Sequence, residues 1–75
     1  MAGNEEQVLA AARAYAERQK GPVLDAWVAP GPVLTYDGGT KWVVFVECSG
    51  GAVVVGVRVG PDGRTEAGPL TYRLI

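Results

Sequence analysis

The sequence has no histidine and only one cysteine, Cys48, among its 75 residues. A single thiol cannot form an internal disulfide, and the common zinc ligand sets require histidine or further cysteines. Cys48 also lacks an imidazole that could activate it as a nucleophile, so we interpret it as a small apolar core residue. The acidic residues are scattered through turns and strand ends, and no carboxylate pair stands out for acid–base catalysis. We therefore expect no metal and no cofactor, and a protein that is not an enzyme.

Long apolar runs and a strong charge imbalance are also missing. No apolar run approaches the roughly 20 residues of a membrane-spanning helix. The net charge is -1, with acids and bases interspersed, whereas binding to a phosphate backbone requires clustered basic residues. Residues 1–7 are polar and acidic, unlike a secretory signal. We expect a cytoplasmic protein with no membrane partner, and the excess of arginine over lysine is typical of a bacterial or phage genome.

The N-terminal segment predicts a helix over residues 5–20. Asn4 is a favourable N-cap, and acidic residues follow it in the first turn, where the helix dipole favours negative charge. Apolar residues then recur at helical spacing, at Val8, Leu9, Ala11, Ala12, Tyr15 and Ala16. Gly21 and Pro22 end the pattern, because glycine adopts the left-handed conformation and proline cannot continue the helix.

The remainder predicts short strands separated by glycine and proline. The expected strands are 23–29, 33–36, 41–48, 52–59, 64–67 and, as a further possibility, 70–74. The tetrapeptide GPVL occurs at 21–24 and again at 31–34, and we interpret each Gly-Pro pair, including Gly68-Pro69, as an interruption between elements. The sequence thus predicts a single α+β domain over residues 1–75, with one N-terminal helix packed on an antiparallel β-meander of four to five strands.

The hairpin sequences predict strand registers. A two-residue turn at Gly50-Gly51 would pair Trp42 with Val59, Val44 with Val57, Val46 with Val55 and Cys48 with Val53, all on one apolar face, and would place Phe45 opposite Gly56. A three-residue turn over residues 61–63 would pair Arg58 with Glu66. The turn at 37–39 is less decisive: a three-residue closure sets Leu34 opposite Trp42, and two-residue closures set Thr35 or Val33 there.

The other face of the central hairpin is unusually apolar. Val43, Phe45 and Val54 form a strip with Lys41, Glu47 and Arg58 at its rim, which is the composition of a protein-binding surface. The candidate partner-binding residues are Val43, Phe45, Val54, Arg58 and Trp27. Two readings stay open for this face: a partner or a second copy (a homodimer) binds it, or Leu70, Tyr72 and Leu74 fold back over it. Trp27 is either a core or semi-buried residue or an edge-strand anchor for a partner. A short meander leaves an exposed edge, so we expect the partner to bind either the outer sheet face or an edge strand.

A weak single-stranded nucleic-acid-binding function is the alternative hypothesis. Such proteins combine basic residues with aromatic side chains on which bases stack. Lys41, Arg58 and Arg73, together with Phe45 and Tyr72, could form a small surface of this kind. Glu47 and Glu66 dilute its positive charge.

The stretch KWVVFVECSGGAVVVGVRVGPDGRTE, following an alanine-rich helix, resembles PepSY-type and wider cystatin-like domains, and also small bacterial immunity proteins. The resemblance covers residues 5–68. It implies a non-catalytic inhibitor or binding module. In cystatin-like inhibitors the hairpin loops bind the partner, which implies a role for Ser49, Gly50 and Gly51.

Overall fold

A computed structural model describes residues 4–31, 33–34 and 38–69 of the chain. It contains one helix, α1 (Asn4–Lys20), and five strands: β1 (Val23–Val28), β2 (Val33–Leu34), β3 (Thr40–Cys48), β4 (Gly51–Val59) and β5 (Thr65–Pro69). The helix packs on one face of a single antiparallel sheet. The predicted α+β fold is confirmed, and the possible strand at 70–74 lies outside the described residues.

Helix α1 ends as the sequence predicts and begins one residue earlier than expected. Its first turn carries Glu5 and Glu6. Gly21 adopts a φ of 89° and donates its N–H to the Glu17 carbonyl over 2.9 Å. Pro22 follows, so the chain leaves the helix and enters β1 within two residues.

Strands β1 and β2 together form one interrupted edge of the sheet. The strand order is β1-β3-β4-β5, and β2 pairs with the same strand β3 as β1 does. Ala29 continues the register of β1 by donating its N–H to the Val43 carbonyl, but the chain then leaves the ladder at Pro30 and Gly31. Proline has no N–H for the ladder, which explains the break and why β1 ends before Ala29.

Beyond the break, the observed register differs from every predicted closure of the 37–39 turn. Leu34 pairs with Thr40, two residues short of Trp42. Strand β2 covers only residues 33 and 34, and the rest of the predicted strand, residues 35 and 36, lies outside the described part. The predictions placing Leu34 or Val33 opposite Trp42 are wrong, because five residues separate Leu34 from Thr40 and the connection is longer than a tight turn. The prediction placing Thr35 there falls outside the described residues.

The β3–β4 hairpin turns at Ser49-Gly50, one residue earlier than predicted. Cys48 pairs with Gly51 and Val44 with Val55, a register shifted by two residues. A shift of two keeps every side chain on its predicted face, since side chains alternate. It does change the cross-strand partners, so Phe45 lies opposite Val54 rather than Gly56.

The tertiary reason for the shift lies at the end of the helix. Gly50 donates its N–H to the Lys20 carbonyl over 2.8 Å, and Ser49 donates its N–H to the Pro22 carbonyl over 3.0 Å. The turn is therefore built against the C-terminus of α1. Local sequence offered two glycine-containing turns, and this long-range contact selects one.

The β4–β5 hairpin has the predicted register. Arg58 pairs with Glu66, and Gly63 has a φ of 87°, as the three-residue turn requires. Strand β5 nevertheless runs on through Gly68 to Pro69, so the predicted interruption at this Gly-Pro pair is wrong. Because β5 is an edge of the described sheet, a proline without an N–H can occupy it. The Gln7 side-chain amide donates to the Gly63 carbonyl and to Thr65 Oγ1, tying α1 to this turn.

The core lies between the helix and the sheet. Its buried members are Val8, Ala12 and Ala16 from α1, with Val44, Val46, Cys48, Val55, Val57 and Val59 from β3 and β4. Alanine at two of the three helical positions lets the helix backbone lie close to the valine surface. The predicted inner face is confirmed, with Trp42 and Val53 at its partly buried margin.

Candidate functional site

The face of the sheet opposite the helix is the most distinctive surface of the described chain. We call it the outer face, and it consists of the alternate residues of each strand that point away from α1. No helix or strand within residues 4–31, 33–34 and 38–69 packs on it. Antiparallel sheets covered on one side usually expose polar residues on the other. This outer face instead exposes large apolar side chains.

Trp27 and Phe45 stack on each other on this face, across the edge strand β1 and its neighbour β3. Their ring centroids are 5.9 Å apart and their planes are inclined by 25°. Trp27 is 51% exposed and Phe45 is 37% exposed. Trp27 is therefore a half-exposed residue on an edge strand, which agrees with the semi-buried alternative of its sequence interpretation and not with a core position. Because β1 pairs with β3, Trp27 lies directly beside Phe45 rather than in a separate segment.

The strand registers arrange the outer face in cross-strand rows. The large row contains Trp27, Phe45 and Val54, which are neighbours across β1, β3 and β4. The adjacent small row contains Ala29, Val43, Gly56 and Gly68. Along each of β1 (continued by Ala29), β3 and β4, the residue of the large row is bulkier than its neighbour in the small row, so the large row projects further and we call the small row the furrow.

A pair of like charges flanks the apolar rows on each side. Asp25 is the cross-strand neighbour of Glu47, beyond the large row, and we call these two residues the acidic pair. Lys41 is the cross-strand neighbour of Arg58, beyond the small row, and we call these two residues the basic pair. Like charges directly opposite each other in a sheet are destabilising. Glu66 adjoins Arg58 on β5 and offsets part of this repulsion at the basic end.

The described residues form depressions in this part of the molecule. One, of about 120 Å³, is bounded by Trp27, Phe45, Glu47, Ala52 and Val54, among others. A larger and more open one, of about 350 Å³, lies over the β4–β5 turn and is lined by Arg58, Arg64, Asp62 and Glu66 with Gly60 and Pro61. The first adjoins the aromatic stack and can receive an apolar side chain.

All five predicted partner-binding residues lie on the outer face. Val43, Phe45, Val54 and Trp27 form its apolar part, and Arg58 lies at the basic end. Sequence reasoning missed Val33 and Asp25 as members of this surface. Val33 is 63% exposed and pairs with Lys41. To find them, one would have to know that residues 21–34 pair with β3. The alternation of apolar residues within that segment does not show which strand it pairs with.

Cys48, the other residue singled out in the sequence, belongs to the core. It is 4% exposed, and its Sγ lies 3.8 Å from the Ala16 carbonyl oxygen. Within the described ranges, no three histidine, cysteine, aspartate or glutamate side chains come together as metal ligands. Among those residues, too, no helix combines the length and hydropathy needed to cross a membrane.

The Ser49-Gly50 turn, which the family resemblance implies as a binding loop, has its backbone amides occupied. Both N–H groups donate to carbonyls at the end of α1 or just after it. This turn is therefore part of the scaffold that joins helix and sheet. The outer face is the better candidate for binding.

Comparisons with protein-family models, with curated proteins and with solved structures give no match for this chain. The resemblance to PepSY-type and cystatin-like domains accordingly stays a prediction.

Proposed function

We propose that this chain is a small, non-catalytic protein-interaction module that binds its partner through the outer face. The observation that carries the proposal is the exposed stack of Trp27 on Phe45, beside Val43 and Val54 and between charged ends. Tryptophan and other aromatic residues are enriched at binding hot spots, and a charged rim around an apolar centre is typical of interfaces. The resemblance noted in the sequence favours an inhibitor, immunity or phage-accessory role.

Binding through a strand edge is less favoured than binding through the face. On one edge of the described sheet, β1 has a register irregularity between Val23 and Asp25, and Pro30 and Gly31 interrupt it before β2. On the other edge, β5 is five residues long and ends in Pro69. Bulges, prolines and short length are the features that discourage a further strand from pairing.

The test is a comparison of partner binding by face variants. The wild-type chain and Phe45→Glu are immobilised, and proteins retained from the source cells are quantified by mass spectrometry. We expect any specific partner, or the chain itself, to be depleted at least about tenfold by Phe45→Glu, since central aromatic anchors contribute 2 kcal/mol or more. Arg13→Glu on the exposed side of α1 is the control and should retain binding. If Phe45→Glu changes neither capture nor oligomeric state, the outer face is not the binding surface.

Single-stranded nucleic acid is the second candidate, because the basic pair lies on the same face as the aromatic stack. Bases could stack on Trp27 or Phe45 while Lys41 and Arg58 contact phosphates. The acidic pair lies on the other side of the stack and repels a continuous phosphate backbone. Titration of oligonucleotides into the protein, followed by tryptophan fluorescence, decides between the two. A response that weakens steeply with added salt would favour nucleic acid. The other residues invoked for this function, Tyr72 and Arg73, lie outside the described residues.

A further inference from the structure

We infer that the occupant of the outer face is a second copy of this chain, bound face to face about a two-fold axis. The inference rests on the proposed function, since it names the partner of the same surface. It is carried by the order of features along the strands. From one end of β3 to the other, this order is the acidic pair, the large row, the small row and the basic pair.

A two-fold axis reverses this order in the second copy. The two-fold axis lies midway between the two facing sheets, perpendicular to the strands and level with Val44. Glu47 and Lys41 lie three residues from Val44 in opposite directions, which is roughly 10 Å along the strand. The axis places Glu47 of one copy over Lys41 of the second copy. Because an isologous interface repeats each contact, this pairing forms twice.

The same axis sets the large row of one copy on the small row of the other. Phe45 then packs on Val43 of the second copy, and Trp27 packs on Ala29. On the neighbouring strand β4, Val54 packs on Gly56 of the second copy. Stacked sheets reach their usual separation of about 10 Å only when side chains interdigitate. Large residues over small ones meet this condition, whereas a large row over a large row does not.

Charge also favours a second copy over an unrelated partner. Like charges opposite each other are unfavourable within the chain, at the acidic pair more than at the basic pair, where Glu66 adjoins Arg58. A partner with a single sign of charge would relieve one pair and aggravate the other. A second copy in reversed orientation sets Lys41 over Glu47 at both ends of the face, with Asp25 and Arg58 on the flanking strands β1 and β4. The same two-fold contact therefore makes the electrostatic energy more favourable at both ends of the face.

The available area is adequate for association. Strands β3 and β4 are nine residues long, or roughly 30 Å, and four strand columns span roughly 19 Å. Because β1 and β5 are shorter, at six and five residues, the flat area is roughly 500 Å². Side-chain relief raises the area that the two copies bury together toward the low end of the roughly 1,200–2,000 Å² of a stable interface. The flat area is a modest share of the total accessible surface of 5273 Å².

The experiment is a charge-swap cycle on the full chain, measured by sedimentation velocity over roughly 1 µM to 1 mM protein. The variants are Lys41→Glu, Glu47→Lys and the double variant with both changes. In each single variant the two symmetry-related contacts become repulsive, and we expect dimerisation to weaken at least about tenfold. The double variant restores opposite charges at both contacts and should dimerise like the wild type. An equimolar mixture of the two single variants should also dimerise, since their charges are complementary.

Loss of folding does not explain the expected result. Lys41→Glu sets an acid beside Arg58, and Glu47→Lys sets a base beside Asp25, so each single variant removes a like-charge pair within the chain. Circular dichroism should show both folded. Arg13→Glu changes the net charge as Lys41→Glu does, but on the exposed side of α1, and should leave dimerisation unchanged. Val43→Trp enlarges the apolar patch but fills the furrow that receives Phe45, and should weaken the dimer.

A wild-type chain that stays monomeric over this range overturns the inference, whether the face is then covered by residues 70–75 or by another protein. Equal association of wild type and single variants, or a double variant that is not restored, overturns the two-fold arrangement. The proposed function is tested by a different result from the one that tests the second copy. A monomer whose capture of a different protein is lost on Phe45→Glu refutes the second copy and retains the binding face.

Discussion

Gly50→Ala tests the contact that joins the helix to the sheet. A Cβ at Gly50 would lie 2.5 Å from the Lys20 carbonyl oxygen and 3.3 Å from its carbonyl carbon. Both are backbone atoms at the end of α1, so no flexible side chain can move aside. Either the end of the helix or the β3–β4 turn must shift.

The structure indicates the size of the effect. Ordinary van der Waals contact begins at 3.4 Å, so the Cβ and the oxygen must separate by about 0.9 Å. That displacement would stretch the 2.8 Å hydrogen bond from Gly50 N–H to Lys20 beyond hydrogen-bonding distance. Losing a hydrogen bond costs about 0.5–1.5 kcal/mol, and forcing extra atoms into a packed site costs about 1–3 kcal/mol. We expect Gly50→Ala to lower the free energy of unfolding by about 2–3 kcal/mol.

Thermal unfolding followed by circular dichroism is the assay. For a domain of this size, a loss of about 2–3 kcal/mol lowers Tm by roughly 8–24 °C. Gly68→Ala is the matched control, because a Cβ there meets nothing within 4 Å and Gly68 has no positive φ. Its Tm should stay within a few degrees of the wild type. If the two variants unfold at the same temperature, the close approach of Gly50 to the helix does not stabilise the fold.

Three further predictions concern the core. Ala12→Leu should lower the free energy of unfolding by about 1–3 kcal/mol in urea titrations, because Ala12 is fully buried against the sheet, whereas Ala14→Leu on the exposed side should be nearly neutral. Val57→Ala should cost about 2 kcal/mol in the same titration, from two buried methyl groups and the cavity they leave; a cost below about 0.5 kcal/mol would mean that Val57 is not packed in the core. Cys48 should react with a thiol reagent at least about a hundredfold more slowly in the native protein than in denaturant, because the thiol becomes accessible only on opening; equal rates would contradict its burial.

Local signals predicted the secondary structure well where they were strong. Helix α1 was predictable because capping residues, alanine content and the Gly21-Pro22 stop agree with one another. The β4–β5 register was predictable because the turn sequence at 60–63 allows essentially one closure. Alternation alone assigned Val44, Val46, Val55 and Val57 to the core, and it survived a register error because that error was an even number of residues.

Tertiary contacts decided between turns and strand ends that the local sequence allowed equally. Ser49-Gly50 and Gly50-Gly51 are both acceptable turns, and the carbonyls of Lys20 and Pro22 select the first. Pro69 is typical of a break, yet the edge position of β5 in the described sheet accommodates it.

The outer face shows most clearly which features the sequence determined and which depended on tertiary contacts. By itself, the sequence determined that Val43, Phe45 and Val54 share a face, because side chains alternate along each strand and both acceptable two-residue turns keep the three residues on the same side. It did not determine that Trp27 joins them, that Asp25 lies beside Glu47 or that Lys41 lies beside Arg58. Those neighbours come from different strands, and their alignment depends on a bulge, an interrupted edge and a turn fixed by the end of the helix. Pairing between distant segments is a property of the packed chain, so only the tertiary structure assembled the site.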